Sequence, residues 1–71
     1  MNLLYSDAGK EYIIESVETN DEELDAFLFS LGCYVGEPIT VIARRRSGLT
    51  VSIKDGRYSI DLALAQAINV K

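Results

Sequence analysis

Leu31-Gly32-Cys33-Tyr34-Val35-Gly36-Glu37-Pro38-Ile39 joins two segments of different period, and this junction decides the fold. Upstream, Leu24, Phe27, Leu28 and Leu31 recur at the spacing of one helix face. Downstream, Ile39, Val41 and Ala43 alternate as in a strand. Gly32 is placed to adopt the left-handed conformation that closes a helix. Gly36 can turn the chain again before Pro38 holds it extended. Leu31, Gly32 and Gly36 therefore predict a rigid corner that sets a helix against a sheet.

Working outward, the helix is expected over residues 21–31. Asn20 is its expected N-cap, with Glu23 in the capping-box position and Asp21, Glu22, Glu23 and Asp25 complementing the helix dipole. Before it, Asp7-Ala8-Gly9-Lys10 reads as a turn. The segment Glu11–Val17 reads as a strand whose imperfect alternation predicts a bulge or a sheet edge. After it come strands over residues 37–43 and 49–54, then Asp55-Gly56, a two-residue hairpin signal. That turn would pair Lys54 with Arg57, Ile53 with Tyr58, Val51 with Ile60 and Leu49 with Leu62, leaving one face apolar and the other polar. An Arg46-Ser47-Gly48 loop, with Gly48 left-handed, would set Ala43 opposite Val51 and Val41 opposite Ile53. A short helical turn within Leu62–Ala67 and a closing strand Ile68–Val70 complete the chain. The expected architecture is mainly β: a small five-stranded SH3-like barrel with one α-helix inserted after the first strand, in a single domain over residues 1–71.

Composition narrows the function. With no histidine, no tryptophan and one cysteine, Cys33, the chain offers no Cys/His metal site, no nucleophilic triad and no internal disulfide. Its five glycines match no phosphate-binding spacing. A non-enzyme without a cofactor is the expectation, cytoplasmic by the lone cysteine and by the lack of a signal segment or an apolar run long enough to enter a membrane. The net charge of −4 is uneven: residues 1–37 carry nine acidic groups against Lys10, and residues 38–71 carry six basic groups against Asp55 and Asp61. Overall acidity argues against nucleic acid as a partner. The dipolar distribution can orient the chain on a protein, and weak homo-oligomerisation is compatible with it.

The ordered set of an early apolar run and glycine (Leu4, Gly9), the Leu31-Gly32-Cys33 and Gly36 corner, the strand through Ile39 and Val41 into Arg44 and Arg45, a hairpin, and a closing Ala65, Ile68 and Val70 resembles the FeoA family. That family comprises small cytosolic proteins of bacterial ferrous iron transport. This chain departs from the family's pattern in its short Ser47-Gly48 loop, in Asp61 where arginine is common and in Val35 where proline is frequent. The resemblance implies an accessory protein that docks on the cytosolic part of the FeoB membrane transporter. It also implies an alternative, since similar domains occur at the C-terminus of iron-dependent repressors. A family-level link to transition-metal binding comes with it, although the residues supply no ligand set of their own.

Candidate contact residues follow from local anomalies. Phe29 lies roughly 150° from the centre of the apolar stripe, beside Glu22 and Asp25, and so reads as a contact residue unless Leu3, Leu4 or Tyr5 folds over it. Tyr34 joins it from the corner. Arg44, Arg45 and Arg46 form a basic hairpin tip, either for an acidic partner or a phosphate, or as a solvated tip whose stems cover apolar edges. The acidic run at the helix start does not converge on one ion and serves the helix dipole. Cys33 reads as a small buried hydrophobe, and Tyr58 as core or core edge beside Ile53.

Overall fold

The computed structural model describes residues 1–71. A 3₁₀ turn, Leu3–Tyr5, precedes β1 (Glu11–Val17), α1 (Glu22–Ser30), β2 (Pro38–Arg45), β3 (Gly48–Ile53), β4 (Gly56–Asp61), α2 (Leu62–Ala67) and β5 (Ile68–Val70). The strands form one antiparallel sheet in the order β4-β3-β2-β1-β5. The expected barrel is therefore not closed by strand pairing, since no ladder joins β4 to β5. The expected α1 is accompanied by a second helix, α2, over the residues of the expected short helical turn; it follows β4 directly and packs against the 3₁₀ turn, β3, β4 and β5. The outer edge of β5 is covered by the N-terminus: Val70 N–H donates to Met1 O at 2.6 Å, and Asn2 bridges Asn69. β4 is left as the free edge.

The corner is a helix-closing motif pinned to the sheet. Gly32, at φ +97°, donates to Phe29 O at 3.0 Å, while Cys33 N–H reaches back to Leu28 O at 2.9 Å. These are the two bonds of a Schellman cap, with Leu28 and Cys33 both buried as its apolar contact. Gly36, at φ +90°, then donates to Ile14 O at 2.8 Å, and Ile14 N–H donates to Glu37 O at 2.9 Å. The helix exit is thus clasped to the middle of β1. At the helix start the cap is Asp21 in place of Asn20: its Oδ1 accepts from Glu23 N at 2.9 Å and Leu24 N at 3.3 Å. Asn20 instead takes a left-handed turn at φ 61°, so the helix begins one residue later than expected.

Both hairpins have a register different from the expected one; β3 and β4 keep their expected faces, whereas β2 keeps its own only as far as Val41, Ala43 being turned to pair with Thr50. Val51 pairs with Tyr58, Leu49 with Ile60 and Ser52 with Arg57, across a Lys54-Asp55 turn in which Lys54 has φ 53°. The shift from the expected pairing is two residues, which leaves every side chain on its own face; a hydrophobic alternation cannot distinguish the two alignments. Gly56 is a strand residue, and Tyr58 lies over the space where its Cβ would be. Gly48 is a strand residue too, opposite Asp61, and any Cβ there would strike the Ile60 carbonyl oxygen. The β2–β3 turn shortens accordingly to Arg46-Ser47, with Ile39 opposite Ile53 and Val41 opposite Val51. A bulge between Val41 and Ala43 leaves Ile42 unpaired and sets Arg44 opposite Leu49.

The core draws on every strand, with Leu3 from the 3₁₀ turn, Leu28 from α1, Cys33 from the corner and Ala65 from α2. Of the expected α1 stripe, only Leu28 is buried. Leu24 is 38% and Phe27 53% exposed. Tyr58, expected in the core or at its edge, is half-buried at the edge. A Gly48→Ala variant should lose about 2 kcal/mol or more of stability in urea unfolding, because the obstacle is rigid backbone. Gly9→Ala, strained only by its φ of +85° with no atom within 4 Å of a Cβ, should lose about 1 kcal/mol.

Candidate functional site

Phe29 and Tyr34 meet across the α1 corner. Their ring centroids are 4.8 Å apart with planes tilted by 37°, within the favourable range for aromatic pairs. Leu3 lies in the core and Tyr5 in solvent, and Phe29 remains 64% exposed. With Val17, Asp25, Cys33 and Val35 the two rings line an open notch of about 240 Å³, five of whose six lining residues are apolar. Cys33 is its buried floor, Val35 is 68% exposed at its rim, and Asp25 is its polar wall, held by Thr19 Oγ1, which donates to its Oδ1 at 2.6 Å. Sequence reading singled out the two rings. It did not anticipate Val17 and Val35, which reach the notch only because β1 and the corner are clasped together.

Lys54, on the β3–β4 turn, closes the other flank of Tyr34. Its Nζ lies 5.5 Å from the Tyr34 ring centroid and bonds to Glu37 Oε1 at 3.2 Å. The Glu37 carboxylate, with Tyr34 second, holds the ammonium above its ordinary pKa. The methylenes of Lys54 run about 3 Å from where a Gly32 Cβ would stand, a second reason for glycine at that position.

The three arginines divide. The β2 bulge places Arg44 on the face of the buried Leu49, and its guanidinium donates to Ser6 O at 2.6 Å and Leu4 O at 2.7 Å. Arg44 thereby straps the 3₁₀ turn to the sheet. Arg45 and Arg46 are exposed at the β2–β3 turn. That turn lies at the opposite end of β3 from Lys54 and Tyr34, about 17 Å away by strand rise. The structure brings Phe29 and Tyr34 together and does not bring the arginines to them.

Two further features were absent from the sequence reading. Asp61 caps α2, its Oδ1 accepting from Leu64 N at 2.8 Å, and so ends β4 where it does. The signal was present, an aspartate just before an Ala/Leu-rich run. A second groove of about 400 Å³ runs between Leu24 of α1 and Ala63, Leu64 and Ala67 of α2. No three His, Cys, Asp or Glu side chains converge on a common point. No helix is long and apolar enough to cross a membrane. Burial raises the Cys33 thiol from its ordinary 9.0 to about 11.

A model of the FeoA domain matches residues 1–71. No curated protein matches the sequence. Among solved structures, an iron uptake regulatory protein (FeoA) superposes with a TM-score of 0.88 at 22% identity, covering 100% of this chain and 95% of that one. The zinc complex of Stenotrophomonas maltophilia FeoA, described as a procaryotic SH3 domain protein, superposes with a TM-score of 0.88 at 21% identity, over 100% and 89%. A manganese-dependent transcriptional repressor matches with a TM-score of 0.85 at 21% identity, over 96% of this chain and 39% of that one. At these identities the likeness is one of fold.

Two outcomes test the site's framework. Arg44→Met keeps the stem but strips the donors from the Leu4 and Ser6 carbonyls, and should cost about 1–3 kcal/mol in chemical denaturation. For Cys33, the folded state keeps its proton to higher pH than the unfolded state, so stability should fall as pH rises from 9.0 towards about 11. Thiol labelling at pH 8 should accordingly track unfolding, and fast labelling of the folded protein would contradict the buried placement.

Proposed function

The chain belongs to the FeoA domain family, and on that premise we propose that it is a noncatalytic accessory protein of ferrous iron uptake. Its partner is a ferrous iron transporter of the FeoB type, met on the cytosolic side through the transporter's cytosolic part. Docking would bias the transporter between states or hold an assembly together. The observation that carries this reading is the Phe29–Tyr34 pair. A small domain that leaves an aromatic pair and a neighbouring valine in solvent retains apolar surface that a partner can bury. The S. maltophilia relative, described as possibly acting as a ferrous iron transport activating factor, supports the same role. Arg45 and Arg46 form a separate exposed basic patch suited to an acidic region of the same partner. Iron is the transporter's cargo in this scheme and is not held by this protein, whose only cysteine is buried and protonated.

A second reading is favoured by the repressor match. An interaction domain of the same shape, working on a DNA-binding protein, would use the same exposed surface.

The test is a calorimetric titration of the purified chain with the cytosolic domain of the transporter from the same genome. Micromolar binding together with a changed rate of nucleotide hydrolysis by that domain is expected. No binding and no rate change, with binding to a metal-dependent repressor instead, would replace the first reading with the second.

A further inference from the structure

The notch beside α1 has chemistry that specifies its occupant. Its interior is apolar, with Val17, Phe29, Cys33, Tyr34 and Val35 around a volume of about 240 Å³. Its surroundings are acidic. Asp25 forms one wall, and Glu22 lies two helical turns before Phe29 on the same side of α1. The one cation beside the rings, Lys54, is already paired with Glu37. Residues 1–37 as a whole carry nine carboxylates against Lys10.

Resting on the accessory-protein reading above, we propose that this notch receives an apolar anchor side chain from a basic segment of the partner protein. An anchor seated between the Phe29 and Tyr34 rings would bury the exposed apolar surface, while lysines or arginines flanking it would face Asp25 and Glu22. The same charge argument disfavours the other occupants. An anionic lipid surface is repelled by these carboxylates. The adjacent arginines that a second copy would offer, at the Arg45-Arg46-Ser47 turn, have no apolar anchor among the turn's residues. Two copies meeting notch to notch would bring acidic faces together.

The test uses three labelled synthetic peptides of equal length, read by fluorescence anisotropy with the full chain. One sets leucines at i and i+4 among lysines, the second replaces its lysines with glutamates, and the third replaces its leucines with alanines. The lysine–leucine peptide should bind, and both relatives should bind at least about tenfold more weakly. Phe29→Ser should weaken the lysine–leucine peptide about tenfold, and Asp25→Asn about threefold. Binding should weaken as salt rises from about 50 to about 300 mM. Phe29 is exposed, so its variant is expected to fold, and an unchanged melting temperature checks this; Val35→Asp, 68% exposed, is the second variant at the rim. Equal affinity for the lysine and glutamate peptides, or full retention of binding by both variants, overturns the proposal. So does a dimer in sedimentation that Phe29→Ser disperses, which would assign the notch to a second copy. The two readings fail separately. A transporter domain that binds the Phe29→Ser variant as tightly as the original chain removes the notch and keeps the accessory role, whereas a domain that binds neither removes the role and leaves the peptide titration to judge the notch.

Discussion

Two backbone hydrogen bonds, Gly36 N–H to Ile14 O and Ile14 N–H to Glu37 O, carry the organisation of this molecule. They tie the exit of α1 to the middle of β1. With the Schellman bonds at Gly32 and Cys33, they leave the helix axis almost no freedom at its C-terminal end. Leu28 then anchors the helix to the core as its only buried side chain. A helix of nine residues held in this way presents its flanks to solvent. Phe27 and Leu24 emerge on one side, and Phe29 on the other. The exposed aromatics follow from the clasp, because a sheet this small has room beneath α1 for only its central row.

The remaining polar contacts fasten the ends of the chain around this frame. Arg44 is the clearest case. In sequence it is one of three arginines in a row, with nothing to separate it from Arg45 and Arg46. The bulge at Ile42 rotates it onto the core side, where its guanidinium satisfies carbonyls of Leu4 and Ser6. Asp61 has a comparable role two strands away at the same end of the sheet, ending β4 by capping α2. The two halves of the chain meet at Lys54, paired with Glu37, and at Arg44, bonded to Leu4 and Ser6. The carboxylates Asp25 and Glu22 of α1 stand near the Phe29–Tyr34 notch, and Arg45 and Arg46 stand at the far turn.

Much of the fold was legible in the amino-acid pattern. The alternation of Leu49, Val51 and Ile53, and that of Tyr58 and Ile60, placed those residues on the correct face. It could not place them in register, because a slip of two residues preserves every face. The actual register depends on contacts with no local signature: the backbone of Ile60 and Asp61 pressing on Gly48, and the Tyr58 ring covering Gly56. Both glycines resemble turn residues in the sequence. In the sheet their value is the missing Cβ and not a positive φ. The helix stripe misled for a related reason. Periodicity reports which side chains share a face, whereas burial depends on whether anything lies opposite that face.

By itself, the sequence determined the element types, the helix-closing corner at Gly32, the apolar faces of β3 and β4, the family resemblance and the lack of a histidine- or cysteine-based ligand set. These are local or compositional properties, readable from spacing and residue chemistry alone. Tertiary structure decided the strand register, the open sheet, the separation of Arg44 from its neighbours and the assembly of Val17, Asp25, Phe29, Cys33, Tyr34 and Val35 into one notch. Each of these depends on which distant backbone atoms come into contact, and periodicity along the chain carries no information about that.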